Sequence, residues 1–435
     1  MRRALLAGVA PVGAGLALVG LAAYAVLALA GHTLPPRDYA AAASMFLLTA
    51  ILGPGVFAAV EQQTNHEVSA RLAAGTPIRP AVRAAATVTA GLTVVAMLVV
   101  AALTPVLVPR AFAGHTALLV ATLVAVAGTA AAYLLRGVFA GQRRFGWYGV
   151  SLAAEGLGRL VPCIVLVLAG WATANRFGFV FAAGCAVAAS VTLPALGGNG
   201  RRGLRADRVG DERGEERVRL RPLAAAVVLL ACASGLTLLV TNLGPVVLTA
   251  RLGTDRADAE LAASFVSLFL LARVPLFLFA PVQAFLLPAL SSAAERGDLA
   301  GVRDRVRAVL LAVASVGLPG VVAGWLLGPW AARALFGAPT ELPRLVAGLL
   351  AVSTVAMMVA SVLQPALVAL GRNRSATLAW VVSSAVFVGL LFAPVAPLAA
   401  AVAAQLVAPT LVSLLMLRAL CRELRTRAVG DPSGS

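Results

Sequence analysis

Apolar runs of about 20 residues alternate with short polar breaks along the whole chain. An α-helix needs about 20 residues to cross a hydrocarbon core ~30 Å thick, so each run predicts one membrane span. Twelve are read, at residues 5–30, 40–60, 84–108, 115–135, 148–170, 177–197, 223–250, 261–287, 306–328, 344–370, 376–393 and 397–417; they are called spans 1 to 12. Residues 375–417 carry no charge, and spans 11 and 12 are divided at Ala393-Pro394-Val395-Ala396-Pro397. A membrane barrel would read as short alternating segments. The expected fold class is therefore an all-α polytopic membrane protein, a bundle of about twelve helices.

Composition removes the soluble alternative. Of 435 residues 60% are hydrophobic and 12% charged, against about 25% charged in an ordinary soluble domain. The formal charge of +17, from 35 basic and 18 acidic residues, could suggest a polyanionic partner. Every basic residue is Arg, and placement decides the matter, because basic residues hold a loop in the cytoplasm. With the N-terminus inside, and with Arg307 and Arg344 at the edges of their spans counted with the adjoining loops, 26 Arg fall in cytoplasmic segments, 7 in outer loops and 2 within spans. The charge thus reports topology, with both termini cytoplasmic in a bacterial cytoplasmic membrane, and no nucleic-acid partner is expected. Met1-Arg2-Arg3 with the apolar run behind it has features of a signal peptide, but a signal core is usually 7–15 residues; this one is about 26 and is kept as span 1. Cys163, Cys185, Cys232 and Cys421 lack metal-type spacing, and a packing role is expected. His32, His66 and His115 are scattered and receive no chemistry. No metal or cofactor is expected.

Residues 198–222 form the one extended polar stretch, from Gly198-Asn199-Gly200-Arg201-Arg202 to Arg221-Pro222. Its composition is that of a linker, and similar signals recur on its two sides. Ser69-Ala70-Arg71-Leu72 after span 2 matches Ser291-Ser292-Ala293-Ala294 after span 8 at an offset of 222. Pro105 and Phe112 match Pro329 and Phe336 at 224, and Gly141-Gln142-Arg143-Arg144 matches Gly371-Arg372-Asn373-Arg374 at 230. A nearly constant register argues for two six-helix halves, residues 1–197 and 223–435, the second ending in a short cytoplasmic tail. Six spans per half make the repeat parallel, as in many secondary transporters, with a substrate path expected between the halves.

Several short motifs then resemble a known group. They are Leu34-Pro35-Pro36-Arg37-Asp38-Tyr39, Arg136-Gly137 through Gly141-Gln142-Arg143-Arg144-Phe145, Arg273-Val274-Pro275 continuing to Leu287-Pro288-Ala289-Leu290-Ser291, and Leu335-Phe336-Gly337. In these the chain resembles the multidrug/oligosaccharidyl-lipid/polysaccharide (MOP) exporter superfamily and, within it, Wzx-type polysaccharide-precursor flippases. The resemblance implies a MATE-like fold and a non-enzymatic flippase for lipid-linked oligosaccharide. Drug-exporting members usually carry an acidic residue in the first span, and residues 5–30 have none. Lipid II flippases of the superfamily usually have fourteen helices.

Charge within the bilayer costs about 2.5–3.5 kcal/mol per residue at a helix centre, so it normally faces a cavity or a partner. Arg273 lies 13 residues beyond Glu260, or ~20 Å along span 8. Glu155 and Arg159 lie four apart on one face of span 5. A diphosphate-linked lipid needs cations to replace water around phosphate, and the planar fork of Arg suits that. Arg273 is the first candidate and Arg159, beside Glu155, the second; equally, Arg273 could serve a helix broken near Pro275 or Pro281, and Glu155 and Arg159 could merely neutralise each other. Asn242, Gln283 and Gln364 could bond sugars or join helices. Gly53-Pro54-Gly55 reads as a hinge in span 2. Trp147, Tyr148, Trp171, Trp325 and Trp330 suit an interfacial belt.

Three functions compete: a flippase, an ion-coupled exporter of drugs or small amphiphiles, and a membrane enzyme. The enzyme ranks last, because Asp38, Asp255, Asp258, Glu260 and Glu341 on short outer loops form no motif. Gly-x-x-x-x-Gly-Lys is missing, and the chain has no Lys, so no nucleotide site is expected. The expected partners are the lipid-linked sugar, membrane lipids and glycan-assembly enzymes, with the chain acting as a monomer.

Overall fold

The computed structural model describes residues 2–196 and 220–429, with side chains undescribed at 2–10, 220, 221, 277, 278, 280–285 and 427–429. The expected linker, up to residue 219, lies outside the described residues. Among the described residues every regular element is helical, and twelve helices are long and apolar enough to span a membrane. The protein is a multi-pass membrane protein with the expected number of spans. Their outward sides carry exposed Leu, Val and Trp, as on span 9 at Leu311, Leu318, Trp325 and Trp330, the surface a hydrocarbon solvent favours.

The helices outrun the apolar windows. Span 2 continues to Ala73, span 9 runs Leu299–Phe336 and the last helix Pro397–Val429. Hydropathy marks only the part in hydrocarbon, whereas Ala, Arg, Glu and Gln keep a helix going beyond it. Span 2 breaks at Gly53, whose ψ of −90° separates Pro36–Leu52 from Pro54–Ala73; Pro54 opens the second piece, where its missing N–H is no loss. Span 8 runs as one helix, Arg256–Glu295, past both Pro275 and Pro281. Spans 11 and 12, Asn373–Leu391 and Pro397–Val429, part where the sequence placed the break. Arg251 caps that turn, donating to the carbonyls of Leu391, of Ala393 at 3.0 Å and of Val395 at 3.1 Å.

The chain forms two compact units, residues 1–250 and 251–435. In unit 1, span 1 lies along span 5: a Cβ on Gly149 would come within 2.7 Å of the Pro11 carbonyl oxygen. Such small-residue contact is how membrane helices approach closely. Span 7 also packs in unit 1, where its Val227 and Ala231 are buried with Phe57, Val60 and Val126. In unit 2, spans 8, 9, 10 and 12 surround buried Phe265, Leu268, Met357 and Met416.

Turn geometry repeats between the units. Left-handed residues end helices at Gly75 and Gly297, at Ala113 and Gly337, and at Arg143 and Gly371, with spacings of 222, 224 and 228. The start of span 2 is also tied to the loop ahead of span 4, and the start of span 8 to the loop ahead of span 10. Asp38 meets His115 at 3.0 Å in unit 1, and Ser264 meets Thr340 at 2.9 Å in unit 2.

Candidate functional site

Span 5 presents Ser151, Glu155 and Arg159 at four-residue intervals, and so on one face. All three are buried. Span 4 supplies the partner, Arg136, only 2% exposed. Its Nη2 donates to Glu155 Oε2 at 2.5 Å and its Nε to Ser151 Oγ at 3.0 Å, while its guanidinium lies 5.3 Å from the Tyr133 ring centre. Arg159 Nη2 approaches the other oxygen, Glu155 Oε1, at 2.7 Å. One carboxylate therefore joins two guanidinium groups.

Arg159 reaches on to span 6. It donates to the Phe181 carbonyl at 3.2 Å and to Cys185 Sγ at 3.0 Å, and stands 4.2 Å from the Phe181 ring centre. Cys185 also accepts from Thr129 Oγ1 at 3.3 Å, so it belongs to the polar network rather than to plain packing. Gly184 is required there, because a Cβ would lie 2.3 Å from Arg159 Cγ. Beside this cluster Glu61, from the second piece of span 2, accepts the Tyr148 hydroxyl at 2.5 Å. Tyr148, expected in the interfacial belt, thus serves a carboxylate within the unit.

Arg136 corrects the sequence reading. The apolar run stops at Leu135 and so places Arg136 among the 26 loop arginines; span 4 continues to Gly141 and carries it inward. Glu61 likewise lies one residue after the apolar window of span 2, on a helix that continues to Ala73. The available signal was Glu155 itself, which needs more than a neighbour on its own helix to satisfy a buried carboxylate.

In unit 2 Arg273 is 4% exposed. Its Nη2 donates to Gln405 Oε1 on span 12 at 2.5 Å and its Nη1 approaches Thr354 Oγ1 on span 10 at 3.4 Å, with the Phe269 ring centre 4.9 Å from the guanidinium carbon. Gln405 and Thr354 are buried and were not among the sequence candidates. The sequence holds no Asp or Glu between Glu260 and Glu295 or between Glu341 and Glu423. A cavity of about 350 Å³ opens beside the cluster among spans 8, 9 and 10, with Thr354 among walls of Leu271, Pro275, Gly320, Val355 and Met358.

The other candidates stand apart. Asn242 Nδ2 donates to the Leu238 carbonyl of its own helix at 3.0 Å. Gln364 Oε1 accepts from Trp380 Nε1 at 3.1 Å and so joins spans 10 and 11. The side chain of Gln283 lies outside the described residues. Gly53, Pro54 and Gly55 form the observed break; a Cβ on Gly53 would meet the Thr49 carbonyl at 2.8 Å and Thr129 Cγ2 at 3.1 Å.

No family model and no curated protein matches the chain. Solved structures do match it nearly end to end. The inward-facing conformation of a multidrug resistance MATE family transporter of the MOP superfamily aligns with a TM-score of 0.70 at 12% identity, over 97% of this chain and 96% of that one. The outward-facing conformation of such a transporter gives 0.63 at 12% identity, over 98% and 97%. A MOP superfamily transporter from Pyrococcus furiosus, described as having a binding pocket of reverse polarity that suggests a different function, gives 0.57 at 11% identity, over 97% and 96%. The fold is that of MATE-family transporters of the MOP superfamily.

Proposed function

We propose that this chain is a flippase that carries a lipid-linked oligosaccharide across the cytoplasmic membrane by alternating access. The observation that carries the reading is Arg273, a guanidinium buried at membrane depth against an amide oxygen, a hydroxyl and a ring. A group so placed gains when a phosphate arrives, since charge-assisted bonds are about twice as strong as neutral ones. Arg136 and Arg159, set against one Glu155, add a formal +1 in the other unit. The fold lends support, because it occurs in inward- and outward-facing conformations and with a pocket of reverse polarity. In this reading the two six-span halves are the alternating bodies and both termini are cytoplasmic. An inside-negative potential assists an outgoing anion by ~2.3 kcal/mol per charge per 100 mV, so ATP is not needed.

Glu61, a half-buried carboxylate bonded to Tyr148, favours a second reading, ion-coupled export of a small amphiphile. Proteoliposomes decide between them. Potential-sensitive movement of a lipid-linked oligosaccharide without ATP is expected; efflux of cationic dyes with no movement of that lipid would sink the first reading. Single-Cys labelling should find residue 256 outside, and labelling from the inside would reverse the topology.

A further inference from the structure

Away from the buried arginines, a cleft of about 280 Å³ lies between spans 9 and 12 at their Arg-rich ends. It is lined by Val306, Leu310, Leu311, Leu417 and Leu420 together with Arg303 and Arg307. We propose that this cleft holds one acyl chain of an anionic phospholipid whose headgroup phosphate is taken by those arginines.

Depth comes first. Span 9 has 38 residues, ~57 Å of helix, nearly twice the hydrocarbon thickness. Its charge-free part begins after Arg307, and that of span 12 ends before Arg418. Both arginine clusters therefore stand at one membrane–water interface, while Leu310, Leu311 and Leu417 point the cleft into hydrocarbon. Apolar depth beneath a cationic mouth is the polarity of an anionic lipid.

Arg303 and Arg307 are one turn apart and exposed; Arg418 and Arg425, at the same end of span 12 as the lining residues Leu417 to Leu424, are exposed as well. The local carboxylates are few or occupied. Glu423 is buried against Arg372, with Oε2 accepting from Arg372 Nε at 2.5 Å. Asp298 lies 3.8 Å from Arg305, and Asp304 meets Arg303 at 3.5 Å with both side chains 68% exposed, a contact water screens. Among the described residues Arg307 and Arg418 have no carboxylate partner. Basic clusters at the ends of membrane helices recognise anionic headgroups, which enrich the cytoplasmic leaflet, the side on which the Arg distribution places these ends. The cleft lies wholly in unit 2, and the inference does not depend on what the protein transports.

The test uses the full chain in lipid nanodiscs with photoactivatable phosphatidylglycerol or phosphatidylcholine of identical chains, the adducts mapped by mass spectrometry. Adducts at residues 302–311 and 417–424 should favour the anionic probe by at least about five-fold. Arg303→Gln with Arg307→Gln should bring them down to the phosphatidylcholine level and leave adducts elsewhere unchanged. Leu310→Trp, which fills the cleft without altering charge, should remove them too. Equal labelling by both probes, or undiminished labelling in either variant, overturns the proposal. So does a lack of adducts here in particles holding two copies, which would assign the cleft to a second chain.

Discussion

In unit 1 two guanidinium groups share the two oxygens of Glu155 at 2.5 and 2.7 Å, whereas in unit 2 Arg273 lies against Gln405, Thr354 and the Phe269 ring. The first arrangement meets charge with charge, and each partner satisfies the others. The second meets charge with dipoles and a ring face, which compensate less of the cost of leaving water. In the proposed reading the difference separates structure from function: the closed ion network joins spans 4, 5 and 6, while a cation set on neutral groups is the one a phosphate would win over.

The strongest way to break this comparison is to remove the shared carboxylate. Glu155→Gln leaves two buried arginines facing an amide, and losing one member of a buried charge network costs about 3–5 kcal/mol. Thermal unfolding in detergent should show a large drop in stability, with low abundance in the membrane. A variant as stable as the wild type would mean that the triad does not hold unit 1 together.

Next comes Arg273→Ala, for which the expected loss is in transport. Truncating a desolvated charged contact to substrate costs about 2 kcal/mol or more, roughly thirty-fold, while taking the guanidinium away from the Gln405 amide oxygen and from Thr354, whose hydroxyl keeps its bond to the Leu350 carbonyl at 3.1 Å, costs about 1–3 kcal/mol of stability. The protein should stay in the membrane at near-normal abundance and fail to move its lipid substrate. Arg273→Lys keeps the charge and loses the planar fork, so it should fall between. Full translocation by Arg273→Ala would remove it from the site.

The same contrast explains what the sequence made legible. Span number and the Ala393–Pro397 break follow from hydropathy, which is a property of position along one chain and survives folding unchanged. Glu155, Arg159 and Arg273 stood out because charge inside an apolar run is costly wherever the helix packs. Arg136 and Glu61 lay at the edges of their windows, where a run of polar loop residues and an inward helix turn read alike. Gln405 and Thr354 were invisible because a lone amide or hydroxyl in a membrane helix is common, and only packing decides which one meets a guanidinium. Tyr148 and Cys185 were assigned by residue type and gained their roles from neighbours on other helices.

A smaller effect is expected at the break in span 2. Gly53 packs on Thr129, whose hydroxyl reaches Cys185 and through it Arg159. Gly53→Ala puts a methyl group 2.8 Å from the Thr49 carbonyl, and relieving such overpacking costs about 1 kcal/mol or somewhat more. If the triad network is rigid, the strain should appear as slower transport together with a modest loss of stability. A variant that transports normally would show that the break does not communicate with the charged cluster.

The smallest expected effect sets the scale for the others. Gln364 accepts from Trp380 at 3.1 Å between spans 10 and 11, a neutral bond in the same unit as Arg273. Interhelical bonds of this kind are worth about 0.6 kcal/mol on average in a membrane, because the separated helices also find partners. A double-mutant cycle of Gln364→Leu and Trp380→Phe, read as unfolding free energy, should give a coupling near that value, with translocation changed by less than about three-fold. If Gln364→Leu instead stops transport while Trp380→Phe does not, the amide's contact with Trp380 is incidental and its oxygen serves the sugar. Arg273 would then share the substrate site with an amide on span 10, and the contrast between a charge held for function and dipoles held for structure would no longer describe unit 2.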